Sequence, residues 1–107
     1  MRQYTLKNPR ILTNICSQAW GLMFKTTVTQ PYIFVFNKPK RTPLHMFFVF
    51  TPIDVIYLDN KRQVIEYKKN FLPFTYYRPK SKASYIVELP KHTIANNAIK
   101  EGTAIKW

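Results

Sequence analysis

Three polar side chains stand inside apolar runs of this 107-residue chain. His45 lies in Leu44-His45-Met46-Phe47-Phe48-Val49-Phe50. Asp54 opens Ile53-Asp54-Val55-Ile56-Tyr57-Leu58 just after Pro52, and Glu88 lies in Ser84-Tyr85-Ile86-Val87-Glu88-Leu89. An imidazole and two carboxylates gathered in an apolar setting would orient a small ligand or a peptide through a few directed hydrogen bonds. That requires their strands to be neighbours. Two of them also have a purely structural use: a satisfied, partly buried histidine at 45, and a carboxylate at 54 that caps backbone amides at a strand corner.

The residue types for harder chemistry are sparse. Cys16, His45 and Asp54 are the side chains an enzyme would draw on, with His45 the only base within reason for a Cys16 thiolate. Cys16 falls on an apolar face, where a free cysteine packs as a small hydrophobe. One cysteine and two histidines (His92 follows Pro90-Lys91 and is expected to be exposed), with no CxxC, no HExxH and no clustered carboxylates, support no metal site. No glycine-rich phosphate loop is present. No catalytic residue is assigned and no cofactor is expected, so the reading is a non-enzymatic binding module, with an undescribed enzyme as the remote alternative.

Charge offers a second alternative. Seventeen Lys and Arg against five Asp and Glu give +12, which attracts polyanions as well as keeping an aromatic-rich domain in solution. Residues 68–82 interleave cations with rings: Lys68, Lys69, Phe74, Tyr76, Tyr77, Arg78, Lys80 and Lys82. Rings that stack on bases and cations that track phosphates suit single-stranded nucleic acid. The same rings suit a loop folded over an open end of a β core. Other partners are unspecified, and a monomer and a homodimer both remain open.

The elements that must position these residues are strands. Seven of the eight prolines fall from Pro31 onward and exclude helices of ordinary length there. Between them lie runs of strand length and composition at 32–36, 44–50, 53–58, 63–67 and 84–89. Asp59-Asn60-Lys61-Arg62 reads as a hairpin turn. The 44–50 run, apolar on both faces apart from His45, reads as a central strand. Apolar residues at 11, 12, 15, 16, 19 and 20 predict an amphipathic helix over 11–20, stopped by Gly21. A short helix is expected over 93–99, capped by Thr93, with Gly102 ending the segment and 104–107 forming a terminal strand. The expected fold is mainly β: one small domain over residues 1–107, a β-sandwich or partly closed β-barrel with one or two short helices. The lone cysteine fits a reducing compartment, and no stretch reads as a leader or a membrane span. A cytoplasmic protein without membrane association is the expectation.

Three elements in order, Gly21-Leu22-Met23-Phe24, then His45-Met46-Phe47-Phe48-Val49-Phe50 with Pro52-Ile53-Asp54-Val55-Ile56-Tyr57-Leu58-Asp59, then Val87-Glu88-Leu89-Pro90, resemble the DUF192 family across roughly 11–107. The His-Met-Phe-Phe form is similar to an archaeal branch, where many bacterial members have Trp-Met-Lys-Asn. The resemblance implies a compact, mainly β fold and brings no reaction with it. Many bacterial relatives look secreted, and this chain departs from them in lacking a leader. It departs again at Thr103, where the family pattern usually has an acid after the glycine.

Overall fold

The structure is a computed structural model that describes residues 2–13, 29–40, 44–45, 52–72 and 76–107. Its frame is a five-stranded sheet in the order β2-β3-β8-β5-β6. These strands are Arg10–Leu12, Tyr32–Lys40, Ala83–Pro90, Ile53–Leu58 and Val64–Phe71 respectively. β2 runs parallel to β3, and every other pairing in this sheet is antiparallel. Two ribbons complete the β content of the described residues: β1 (Gln3–Thr5) parallel to β9 (Ala104–Lys106), and β4 (Leu44–His45) antiparallel to β7 (Tyr76–Tyr77). One turn of helix, α1 (Thr93–Asn96), follows β8.

The mainly β class is as the composition implies, and the barrel is not closed: among the described residues β2 and β6 form the two ends of the sheet. Side chains alternate across the pleat, so the sheet buries two apolar layers. One face carries Tyr32, Phe34, Ile53, Val55, Tyr57, Phe71 and Ile86, with Tyr77 of β7 packed on it. The other carries Ile33, Ile56, Leu58, Val87 and Leu89 against Leu6, Ile94, Ile99 and Ile105, so β1, α1 and β9 cover that side. β5 is buried along its whole length because it lies between β8 and β6 with both faces covered.

The hairpin forms at Asp59–Arg62. The Asp59 carboxylate accepts from the backbone N–H groups of Lys61 and Gln63, both at 2.9 Å, which closes an Asx turn. The terminal strand also forms, but in the ribbon with β1. Gln63 bridges to Ala104, and Val64 N–H donates to Thr103 O at 2.9 Å, so the ribbon is stitched to the hairpin. Gly102, at φ +90, is the residue that lets the turn before β9 bend back to donate to Val64 O.

Three expectations change. Ile11 and Leu12 are strand, not helix: Arg10 N–H reaches Pro31 O at 2.9 Å and Ile11 pairs with Ile33. Sheet pairing overrides the helical spacing there, and Ile11 is half exposed rather than on a buried face. Residues 14–20 of that expected helix lie outside the described residues, as do 46–50 of the expected central strand. The described part of that run, β4, belongs to a ribbon, and the central position of the sheet is held by β8. The helix at 93–99 is a single turn, because Ala98 turns to φ +51 and Ile99 N–H bonds Ile94 O instead of continuing the ladder.

Candidate functional site

Register decides which of the expected site residues can meet. Asp54 lies opposite Leu89, and Val55 lies opposite Glu88. Directly opposed residues of an antiparallel pair share a face, so Asp54 and Glu88 point to opposite sides of the sheet. His45 is placed on β4, paired with Tyr76, in the ribbon whose Tyr77 packs on the Glu88 side. The three therefore do not form one constellation. Cys16 and Phe74 lie outside the described residues.

Asp54 is 2% exposed, and both of its oxygens are in use. Oδ1 accepts the Asn70 N–H at 2.9 Å, and Oδ2 accepts the Ile94 N–H at 2.8 Å. Each donor has a reason to be there. A register shift between Ile53 and Val55 leaves Asn70 at a bulge with φ +52, so its N–H is turned out of the ladder. Ile94 sits in the first turn of α1, where backbone N–H groups have no intrahelical acceptor. The expected local cap does not form. His92 occupies the capping position in a left-handed conformation with no side-chain bond, and Thr93 Oγ1 donates to Pro90 O at 2.6 Å. The cap arrives from β5 instead.

Glu88 is 1% exposed on the opposite face, facing the layer of Tyr32, Val55 and Ile86. Tyr57 and Glu66 share that face. The second register shift, between Tyr57 and Leu58, makes Ile65 and Glu66 both oppose Tyr57 and turns Glu66 inward. The Glu66 carboxylate accepts the Tyr77 hydroxyl, the Lys80 N–H at 3.0 and 3.1 Å, and the Ser81 N–H at 2.9 Å. Burial pushes its pKa up, but these hydrogen bonds outweigh burial and hold it below the usual carboxylate value. Tyr77 is pushed up to about 12, first by burial and then by its bond to the Glu66 carboxylate. Tyr57 is fully buried, and its hydroxyl has no hydrogen-bond partner among the described residues. Burial, with the nearby Tyr77, Glu66 and Glu88, drives its pKa up. Glu66, Tyr57 and Tyr77 are thus the polar members that strand patterning missed as a group: only the bulge brings Glu66 to this side.

The face bearing Asp54 has an opening. A cleft of about 350 Å³ lies between the loop after β1, residues 29–31 and the β8–α1 turn. Leu89 contributes apolar wall, Tyr4, Asn8, Gln30 and Thr93 contribute polar groups, and among the described residues Lys7 is the one charged side chain on its lining. Gln30 Nε2 donates to Asn8 O at 3.3 Å and joins two of the three segments. Asp54 stands behind the third, opposite Leu89 and bonded to the residue after Thr93.

The expected nucleic-acid residues are divided. Lys68 opposes Val55 and holds its ammonium 5.8 Å from the Tyr77 ring centre, whereas Lys69 turns to the other face and stands 5.8 Å from the Tyr67 ring centre. The Tyr77 hydroxyl is committed to Glu66, Tyr76 pairs with His45 in the ribbon, and Arg78, Lys80 and Lys82 are exposed around the following turn. Among the described residues, no group of three or more His, Cys, Asp or Glu is placed to hold a metal ion. None of the described helices is long and apolar enough to cross a membrane.

Known proteins resemble this chain in sequence and fold. A UPF0127 protein of Thermococcus kodakarensis is 37% identical over 89 residues, covering 81% of this chain and 56% of its own length. A UPF0127 protein of Pyrococcus horikoshii is 35% identical over 102 residues, covering 92% of this chain and 85% of its own. The chain thus spans little more than half the length of the Thermococcus relatives it matches. A crystal structure of a protein of unknown function from Novosphingobium aromaticivorans superposes with a TM-score of 0.79 at 26% identity, over 88% of this chain and 70% of that one. A Sinorhizobium meliloti structure gives the same TM-score at 15% identity, over 88% of this chain and 76% of that one, which shows the shared fold. The DUF192 family model, described as an uncharacterised ACR, matches residues 9–107, and the chain belongs to that family.

Proposed function

We propose that this domain is a non-enzymatic binding module whose cleft beside Leu89 takes a small ligand with an apolar body and a carboxylate head. The observation that carries this reading is the composition of the cleft. It has the volume of a small-ligand site. Its lining combines Leu89 with hydroxyl and amide groups and contains Lys7, with no acid among the described residues. An apolar body rests on Leu89, the carboxylate faces Lys7, and Tyr4, Asn8 and Gln30 supply hydrogen bonds. Asp54 contributes from behind, as the group that fixes the β8–α1 wall, rather than as a ligand contact.

The test is an NMR titration with butyrate, butylammonium and butanol, which share a carbon body and differ in charge. Butyrate is expected to give saturable shifts at Lys7, Asn8, Gln30 and Leu89 that weaken with salt. Lys7 is exposed, so its ion pair is worth about 0.2–1 kcal/mol and Lys7→Gln should weaken butyrate about threefold while removing most of the salt dependence. Equal shifts from butanol and butyrate, or no change in Lys7→Gln, would contradict the reading.

A further inference from the structure

At the β5–β6 hairpin, we propose that Arg62 is a binding site for a phosphate monoester, its guanidinium held ready by Trp107 and Tyr85. The cleft wall uses Leu89, and this platform uses Tyr85, four residues earlier on β8 and about 13 Å away along the strand. The two sites do not depend on one another.

The backbone singles out the residue. Arg62 N–H donates to Asp59 O at 3.0 Å, and Asp59 N–H donates to Gln63 O at 3.0 Å, which closes the hairpin. Arg62 takes φ +63, in the left-handed region that glycine enters at least cost. Strain of this kind gathers where a side chain is used. Arg62 O also accepts the Ile105 N–H at 2.9 Å, which fixes the turn against β9 and brings Trp107, two residues further on, to the guanidinium.

The side chain is then held in place. The guanidinium carbon lies 3.7 Å from the centre of a Trp107 ring and 5.6 Å from that of Tyr85, and the two aromatic side chains meet edge to face at 5.1 Å. Both pack on the buried layer that includes Leu58, Val64 and Ile105. The guanidinium therefore loses little further freedom when a ligand arrives. Ring contact uses its face and leaves its N–H edge, which has no hydrogen-bond or ion-pair partner among the described residues. Asp59, the acid of the same turn, accepts at Oδ1 from the Lys61 and Gln63 N–H groups. Arg62 is half-buried, so a ligand reaches it from solvent.

The chemistry narrows the ligand. A planar fork of donors matches an oxyanion. Lys61 and Lys106, the exposed neighbours of Arg62 and Trp107 in the chain, raise the local positive potential and favour the more highly charged oxyanion. A phosphate monoester carries about −1.5 to −2 at pH 7 and offers three acceptor oxygens. A single stacked arginine gives no groove that would track a phosphodiester strand.

Methyl phosphate at neutral pH and constant ionic strength is the first probe, with acetate and dimethyl phosphate as controls and NMR as the readout. Methyl phosphate is expected to give saturable shifts at the Arg62 side-chain N–H, the Trp107 indole N–H and the amides of residues 61–63. Both controls should bind about fivefold more weakly. Arg62→Lys keeps the charge and loses the fork, and should weaken methyl phosphate about threefold. Arg62→Gly suits the positive φ, so the hairpin persists and the shifts vanish with the side chain. Inorganic phosphate and N-acetyl-phosphoserine amide separate the sources: the tighter of the two tells a free phosphate from a phosphorylated side chain. No saturable shift, dimethyl phosphate or acetate binding as tightly as methyl phosphate, unchanged affinity in Arg62→Lys, or shifts retained in Arg62→Gly overturns the proposal.

Discussion

Replacing Asp54 separates its two readings, structural cap and ligand group. In Asp54→Ala the Asn70 and Ile94 N–H groups lose their carboxylate acceptor, in a place where that carboxylate is 2% exposed and water is excluded. Leaving a buried donor unsatisfied costs about 1–3 kcal/mol, so two cost about 2–6 kcal/mol. That is a large part of the roughly 5–15 kcal/mol that holds a small domain together. At about 4–8 °C per kcal/mol for a domain near this size, a mid-range loss of about 4 kcal/mol lowers Tm by about 16–32 °C. Asp54→Asn keeps one acceptor oxygen and sets an amide N–H₂ against the other donor, so it should fall between the parent and Asp54→Ala. Thermal melts with hydrogen exchange at Asn70 and Ile94 are the assay. Those two amides should exchange much faster in Asp54→Ala than their neighbours in β5. A Tm within about 4 °C of the parent, with protection at both amides intact, would refute the cap. Loss of butyrate shifts in an Asp54→Asn protein of parental stability would place the residue in the ligand's path instead.

Two further outcomes follow from the opposite face. Tyr57→Phe, without ligand, should raise Tm by about 4–8 °C, since removing a buried hydroxyl that lacks a partner recovers about 1 kcal/mol; a fall in Tm measured by calorimetry would show that the hydroxyl is satisfied. Glu66 and Tyr77 give stability opposite pH limits. The lowered Glu66 pKa adds stability that is present above the unfolded value of about 4.3 and is lost as pH falls through the folded one. The raised Tyr77 pKa adds stability that is present below about 10 and is lost as pH rises through about 12. Denaturant midpoints against pH should therefore flatten at the acid end in Glu66→Gln and at the alkaline end in Tyr77→Phe, and unchanged profiles would exclude the bond between them.

The parts of this fold that were legible are those set by neighbours in sequence. Asp59 and Asn60 between two β-branched runs announce a hairpin, and the Asx turn there uses only residues 59–63. The strands at 53–58 and 84–89 were visible because their composition suits a buried sheet. What was not legible depends on pairing at long range. Ile11 and Leu12 have helical spacing in the chain and strand geometry in space, because β3 offers them a parallel partner. Thr93 looks like a cap for α1, but the acceptor comes from Asp54, 40 residues earlier. In a simple alternating strand Glu66 would share the face of Val64, and a bulge turns it to the face of Tyr57 instead. Bulges have no reliable mark in a sequence as poor in glycine as this one, where Arg62 and Asn70 take the positive φ angles themselves.

The separation of Asp54 from Glu88 also explains how one thin sheet carries two unlike surfaces. A single-residue offset in register along β5 and β8 sends one carboxylate to each side. On the first side Asp54 is saturated by backbone donors, so its charge is consumed in building the wall and Lys7 sets the sign of the cleft. On the second side Glu66 is held by Tyr77, Lys80 and Ser81, and Glu88 is buried opposite Tyr32 and Val55. Net charge therefore says little about either layer. It describes the rim, where Arg78, Lys80 and Lys82 are exposed and where Lys68 and Lys69 diverge to opposite faces. Cations distributed in that way favour contact with any polyanion at low salt without defining a track for one strand.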